Sequence, residues 1–209
     1  MKYLFMPLGM WTFFNKSFKK QLMIVFNYDK KEAKLTTKKA KIKYKEIIKE
    51  IPEFEKKDIF KMNIVNCALL ISFVLSMKNR PTVEQLTIYY KDAMMTNMMK
   101  WFCKKSAKTK YTEKDIKRMI LTSKLKVADR NEYSWNMDYY PYSDGSGYEA
   151  RFYKCGICML MKKYGLYDLT PSLCNLDYVM AEAGGVTNFV REYTLASGGP
   201  YCDCGYKKK

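Results

Sequence analysis

An α+β fold follows from three features of this 209-residue chain. Apolar residues recur at helical spacing over the first 125 positions, and Thr82-Val83-Glu84-Gln85 forms a capping box. Period-two alternation with glycine turns follows after position 126. The expected layout is one domain, 1–209. A mainly helical part, 1–125, packs on a hairpin-helix-helix-hairpin part, 126–209, that carries an antiparallel sheet. An apolar content of 48% and an aromatic content of 15% suit a chain that buries a core.

The elements are read in order. Residues 1–27 are apolar with scattered Lys and form a packed helix or strand, while Tyr28–Lys45 is Lys-rich and reads as a loop entering a solvated helix. From Glu53 to Met77, Phe54, Ile59, Phe60, Ile64, Ala68, Ile71 and Leu75 recur as on one helix, until Asn79-Arg80-Pro81 breaks it. The capping box opens a helix expected to reach Lys104, whose Met94, Met95, Met98 and Met99 read as core filling. Another helix follows Thr112, with Ile116, Met119 and Ile120 inward. Glu132–Tyr142 and Tyr148–Tyr153 flank the turn at Asp144–Gly147 as a hairpin. Helices then start at Cys155 and at Thr170-Pro171, the latter ending at Gly184-Gly185, and Phe189–Leu195 and Tyr201–Tyr206 read as strands before a frayed Lys207–Lys209.

Charge and residue usage exclude more than they assign. The formal charge is +17, with 30 basic and 15 acidic residues before position 147 but 8 and 6 after it. Only five of the 38 basic residues are Arg, whereas nucleic-acid recognition favours the bidentate guanidinium; solvated helix faces are the expected role of the Lys excess. His is absent, which removes Ser-His-Asp, Cys-His and His-metal chemistry. Seven Cys, an odd number, argue against a disulfide scaffold. Pro7 and Gly9 interrupt the apolar stretch Tyr3–Phe14, and Cys67–Leu75 is far too short for a bilayer span. A cytoplasmic chain with free thiols is therefore expected, with a small-molecule substrate and a second copy in a homodimer as partners. Neither nucleic acid nor membrane is expected as a partner, and no cofactor or metal.

Chemistry concentrates in the last third, with Cys155, Cys158, Cys174, Cys202, Cys204, Asp177, Arg191, Thr194 and Asp203. A thiol at a helix N-terminus, as at Cys155, faces unpaired amides that favour thiolate. Cys174 and Asp177, three apart, share a helix face. Three readings compete: a zinc site of Cys155, Cys158, Cys174 and Cys202; redox use of the C-x-x-C, for which no βαβ context is present; and small buried hydrophobes.

The segments Cys155-Gly156-Ile157-Cys158, Leu169–Tyr178 and Arg191–Asp203 resemble the L-2-amino-thiazoline-4-carboxylic acid hydrolases. The likeness is strong over 150–206 and weaker back through Trp135 to the helices at Asn63–Ala68 and Thr82–Tyr90. Gly156 stands where that family often has Pro, and Cys204 where an aromatic is usual. The layout also resembles the vinyl-reductase-like and TRAPP-like ligand-binding fold. The family resemblance implies ring opening by water at an amidine-like carbon, giving a carbamoyl-cysteine. Cys155, Asp177 and Cys202 are then the catalytic candidates, Cys155 attacking or orienting water as thiolate with Asp177 as base. The substrate-binding candidates are Arg191, Thr194, Gly198, Gly199, Cys174 and Asp203. Arg191 would clamp a carboxylate bidentately, and Thr194 with the Gly198-Gly199 amides would stabilise developing charge. A non-catalytic ligand sensor on the same fold is the alternative.

Overall fold

The computed structural model describes residues 6–55, 58–127 and 129–209; the opening Met1–Phe5 of the apolar stretch lies outside them. Helix α1 (Met6–Val25) buries Met10, Trp11, Phe14, Phe18 and Leu22 along one stripe. Asp29 and Glu32 then close a capping box that opens α2 (Lys30–Glu50). The solvated helix expected within Tyr28–Lys45 is thus present, and the loop expected to lead into it shrinks to the two residues before Lys30. The buried stripe of α2, Ala33, Thr36, Ala40, Tyr44 and Ile47, starts with small residues, and the surrounding Lys conceal it in the sequence.

Helix α3 spans Lys61–Val74 and is buried almost all round. The expected helix from Glu53 therefore starts eight residues late. Asp58 accepts from the Phe60 amide and forms an ion pair with Lys126, holding this approach outside the helix. Helix α4 (Val83–Met94) begins at the expected Thr82/Gln85 capping box. The long helix expected to reach Lys104 is interrupted, because Met95 leaves the helical conformation and Thr96 caps a new helix, α5 (Asn97–Ala107). Met94 is core, whereas Met98 and Trp101 are exposed. Helix α6 (Glu113–Lys126) is capped by Thr112; Met119 faces inward as expected, but Ile120 does not.

The C-terminal part supplies β1 (Asp138–Pro141), β2 (Gly147–Phe152), α7 (Gly156–Lys163), α8 (Pro171–Cys174), α9 (Leu176–Gly184), β3 (Thr187–Val190) and β4 (Cys202–Lys208). All strand pairs are antiparallel, in the order β1-β2-β4-β3, so the two hairpins join edge to edge through β2 and β4. Strand β3 stops four residues after it starts, and the expected strand to Leu195 becomes a turn with 3-10 geometry at Leu195–Ser197. Lys207 and Lys208, expected to fray, pair with Asn188 and Thr187. The single helix expected after Thr170 is two, α8 and α9. Pro171 occupies the first turn, but Thr170 is itself helical and makes no side-chain cap.

The halves meet along α3 against α7, α4 against α8 and α5 against α9, with α9 also lying on β3. Within the helical part an aromatic core joins α1 to α3 and α4: Trp11 stacks on Phe73 at 5.8 Å and Phe18 meets Tyr89 edge-on at 5.5 Å. No helix among the described residues is long and apolar enough to cross a membrane.

Candidate active site

Strand pleating sets the first part of the site. Along β4, Cys202 and Cys204 point inward while Asp203 alternates to the other face. Opposite them, β3 ends at Val190 and delivers Arg191 into the gap between the sheet and the α8–α9 junction. Its side chain is only 5% exposed. One terminal nitrogen donates to Asp177 and, at 3.1 Å, to the Cys204 sulfur; the other donates to the Cys174 carbonyl at 3.1 Å. The guanidinium also lies over Phe189 at 4.7 Å. Nε alone is buried without a partner.

Arg191 and Asp177 thus form the centre, with Cys174 and Cys204 against it. Asp177 is 47% exposed on its side chain. Enclosure raises its carboxyl above the ordinary value and the Arg191 charge pulls it back; with the guanidinium in contact and solvent at one side, the pair is ionic. The thiols experience mainly desolvation. Burial pushes Cys174 up to about 12 and Cys204 up to about 12, Arg191 opposing both. Burial likewise raises Cys202, against a 3.2 Å hydrogen bond from the Leu195 amide.

Cys155 stands at the N-cap of α7, as the sequence predicts, but the facing Cys158 thiol and burial push its own thiol well up. The resting form is the thiol, because a helix end eight residues long does not offset that enclosure. Gly156 lets the chain pass here: a Cβ there would run into the Tyr133 carbonyl and lie 3.1 Å from the Trp135 ring. Among the described residues no group of three or more His, Cys, Asp and Glu is placed to hold a metal ion, so the four-cysteine zinc arrangement is not formed.

The remaining candidates build the β3–β4 turn. Asp203 accepts the Glu192 and Tyr193 amides at 2.8 and 2.6 Å. The Thr194 hydroxyl accepts from the Ser197 amide at 3.1 Å, and the Gly198 and Gly199 amides donate to the Leu195 and Thr194 carbonyls at 3.2 and 2.9 Å. These amides are occupied inside the turn. Gly198 takes φ +81°, which suits glycine.

Asp177 also lines a cavity of about 230 Å³ with Cys103, Lys110, Met180, Thr187 and Tyr206. None of the other candidates lines it. Lys110, Cys103 and Tyr206 carried no sequence signal: Lys110 is one of 33 Lys, and its partners come from distant strands. A larger cleft, about 440 Å³, lies by Tyr28, Glu32, Lys78 and Arg80, remote in sequence from every candidate.

Comparison with curated proteins and with solved structures finds no match. Residues 62–206 match the family described as L-2-amino-thiazoline-4-carboxylic acid hydrolase. That match takes in α3 to β4, including Cys155, Asp177, Arg191 and the whole β3–β4 turn, and by it the chain belongs to the L-2-amino-thiazoline-4-carboxylic acid hydrolase family.

Proposed function

We propose that the protein opens the ring of L-2-amino-thiazoline-4-carboxylate, or of a similar small cyclic amidine, to a carbamoyl-cysteine. The observation that carries this reading is the ion pair of the enclosed Arg191 with Asp177, whose carboxylate faces a cavity of small-molecule size. A carboxylate held ionic by a buried guanidinium suits the paired N–H groups of an amidine, and Arg191 fixes its orientation.

Cys155 is carried over from the family resemblance as the nucleophile of this proposal; it stands at the N-cap of α7 and is not among the residues lining the cavity that Asp177 faces. Its sulfur bonds to the carbon between ring nitrogen and ring sulfur while its proton passes to the ring nitrogen, the strongest base at hand. The ring carbon–sulfur bond then breaks, and that proton moves to the departing sulfur. Water oriented by Asp177 adds to the same carbon; the Cys155 sulfur leaves with one water proton, and the other restores the nitrogen. One water is consumed and the Cys155 thiol is regenerated. Since burial keeps Cys155 protonated, a basic substrate nitrogen is what makes attack feasible.

A second reading, a ligand sensor without turnover, is favoured by the raised thiols of Cys155, Cys174, Cys202 and Cys204. Colorimetric release of new thiol from L-2-amino-thiazoline-4-carboxylate separates the two. Release by wild type and none by a folded Cys155→Ala supports the nucleophile. Release by both removes Cys155 from the mechanism. No release, with a raised melting temperature in the compound, supports the sensor.

A further inference from the structure

Just beyond the end of α5, Lys110 turns its ammonium into a cage of tyrosines. Its Nζ lies 4.0 Å from the Tyr206 ring centre, 4.8 Å from that of Tyr148 and 5.8 Å from that of Tyr111, and it donates to the Tyr148 hydroxyl. No ion pair of Lys110 is found among the described residues. The carboxylates around it are committed elsewhere: Asp115 to Arg118 at 2.6 Å and to the Tyr111 amide at 3.0 Å, and Asp177 to Arg191. A part-buried cation without a counter-ion therefore borders the same cavity as Asp177.

The cage wall is held under strain. Tyr111 adopts φ +62°, a left-handed conformation that bulky side chains rarely take. Its hydroxyl donates at 2.9 Å to Thr187, itself a wall of the cavity. Strained backbone of this kind persists where surrounding contacts over-determine it, and here it places an aromatic ring beside the ammonium.

We propose that Lys110 is the anion-receiving group of this cavity, binding the carboxylate of a small zwitterionic ligand whose amidine end meets Asp177. The proposal deepens the hydrolase reading and rests on it for the amidine end. Arg191 is not the clamp in this proposal because its side chain is only 5% exposed and does not line the cavity. The charges are complementary: one uncommitted cation and one carboxylate border a space of about 230 Å³.

The site also predicts a proton signature. Burial pushes the Lys110 ammonium down to about 8; Asp115 opposes this and Arg118 adds to it. The other titratable groups facing it are the phenols of Tyr111, Tyr148 and Tyr206, with Cys103 and Asp177 across the cavity. The three phenols and Cys103 are raised by burial and stay neutral near pH 8. An incoming carboxylate restores the ammonium, so binding between pH 8 and 9 takes up a proton.

Calorimetry of L-2-amino-thiazoline-4-carboxylate and of 2-amino-thiazoline, which lacks the carboxylate, tests this in two buffers of different ionisation enthalpy. Wild type is expected to bind the acid about tenfold or more tightly than the analogue, with proton uptake for the acid alone. Lys110→Met, checked for a wild-type melting profile, is expected to bind both alike; Lys110→Arg is expected to keep the preference without the uptake. Equal preference in wild type, or uptake that survives in Lys110→Met, overturns the proposal. Thiol release followed in parallel separates the two ideas: turnover with an unaltered Lys110→Met sinks Lys110 and leaves the hydrolase. Carboxylate-dependent, Lys110-dependent binding without turnover keeps Lys110 and sinks the hydrolase. Neither binding nor turnover by wild type overturns both.

Discussion

Two cations define the site at the scale of residues, and they are managed in opposite ways. Arg191 is almost wholly enclosed but has a carboxylate, a carbonyl and a thiol around it. Among the described residues Lys110 has only aromatic faces and a phenol around it. A guanidinium cannot escape burial by losing its proton, so it needs partners; an amine can, and does so partly near pH 8. The consequence for stability has a definite sign. The folded-state value of Lys110, about 8, is below its ordinary 10.5, so between those limits the unfolded chain binds more protons. Stability contributed by Lys110 therefore rises as the pH climbs from 8 to 10.5. Urea unfolding of wild type and Lys110→Met across that range is expected to show the difference moving in favour of wild type; a constant difference would contradict the depressed value.

Among the elements, capping chemistry decides more than hydropathy. Helix α2 is so rich in Lys that periodicity is hard to see, and yet the Asp29–Glu32 box starts it cleanly. Asp29→Ala removes the acceptor for the Glu32 amide and is expected to cost about 1 kcal/mol in denaturant unfolding. Asp29→Ser is expected to recover most of that. The same logic divides the helix expected to run to Lys104. Thr96 caps α5 as Thr82 caps α4, and that division lets α5 turn toward α9 and carry Lys110 to the cavity. Strand β4 shows the complementary case. Period two by itself sends Cys202 and Cys204 inward and Asp203 outward, and Asp203 then anchors the turn that follows Arg191.

Across the whole molecule, long-range polar contacts fasten the segment between the helical part and the sheet. Lys126, 7% exposed, pairs with Asp58, 4% exposed, and with Asp129 at 2.5 Å, and donates to Ser134 at 2.6 Å. Asp58→Ala leaves a buried ammonium with one carboxylate fewer, and a loss of about 2 kcal/mol, read as a melting point several degrees lower, is expected. A loss below a few tenths would mean that Asp129 and Ser134 suffice. From sequence alone the α+β class, the order of parts, the Thr82 helix start, the first hairpin and the concentration of Cys155, Asp177 and Arg191 in the last third were legible. Each rests on periodicity, capping or turn residues within a few positions of one another. The joining of the hairpins through β2 and β4, the protonated state of Cys155, the occupation of the Gly198-Gly199 amides within their own turn and the Lys110 cage were decided by tertiary structure. These depend on desolvation and on partners tens of residues away. Burial sets the charge of a thiol or an amine, and a one-dimensional pattern carries no measure of it.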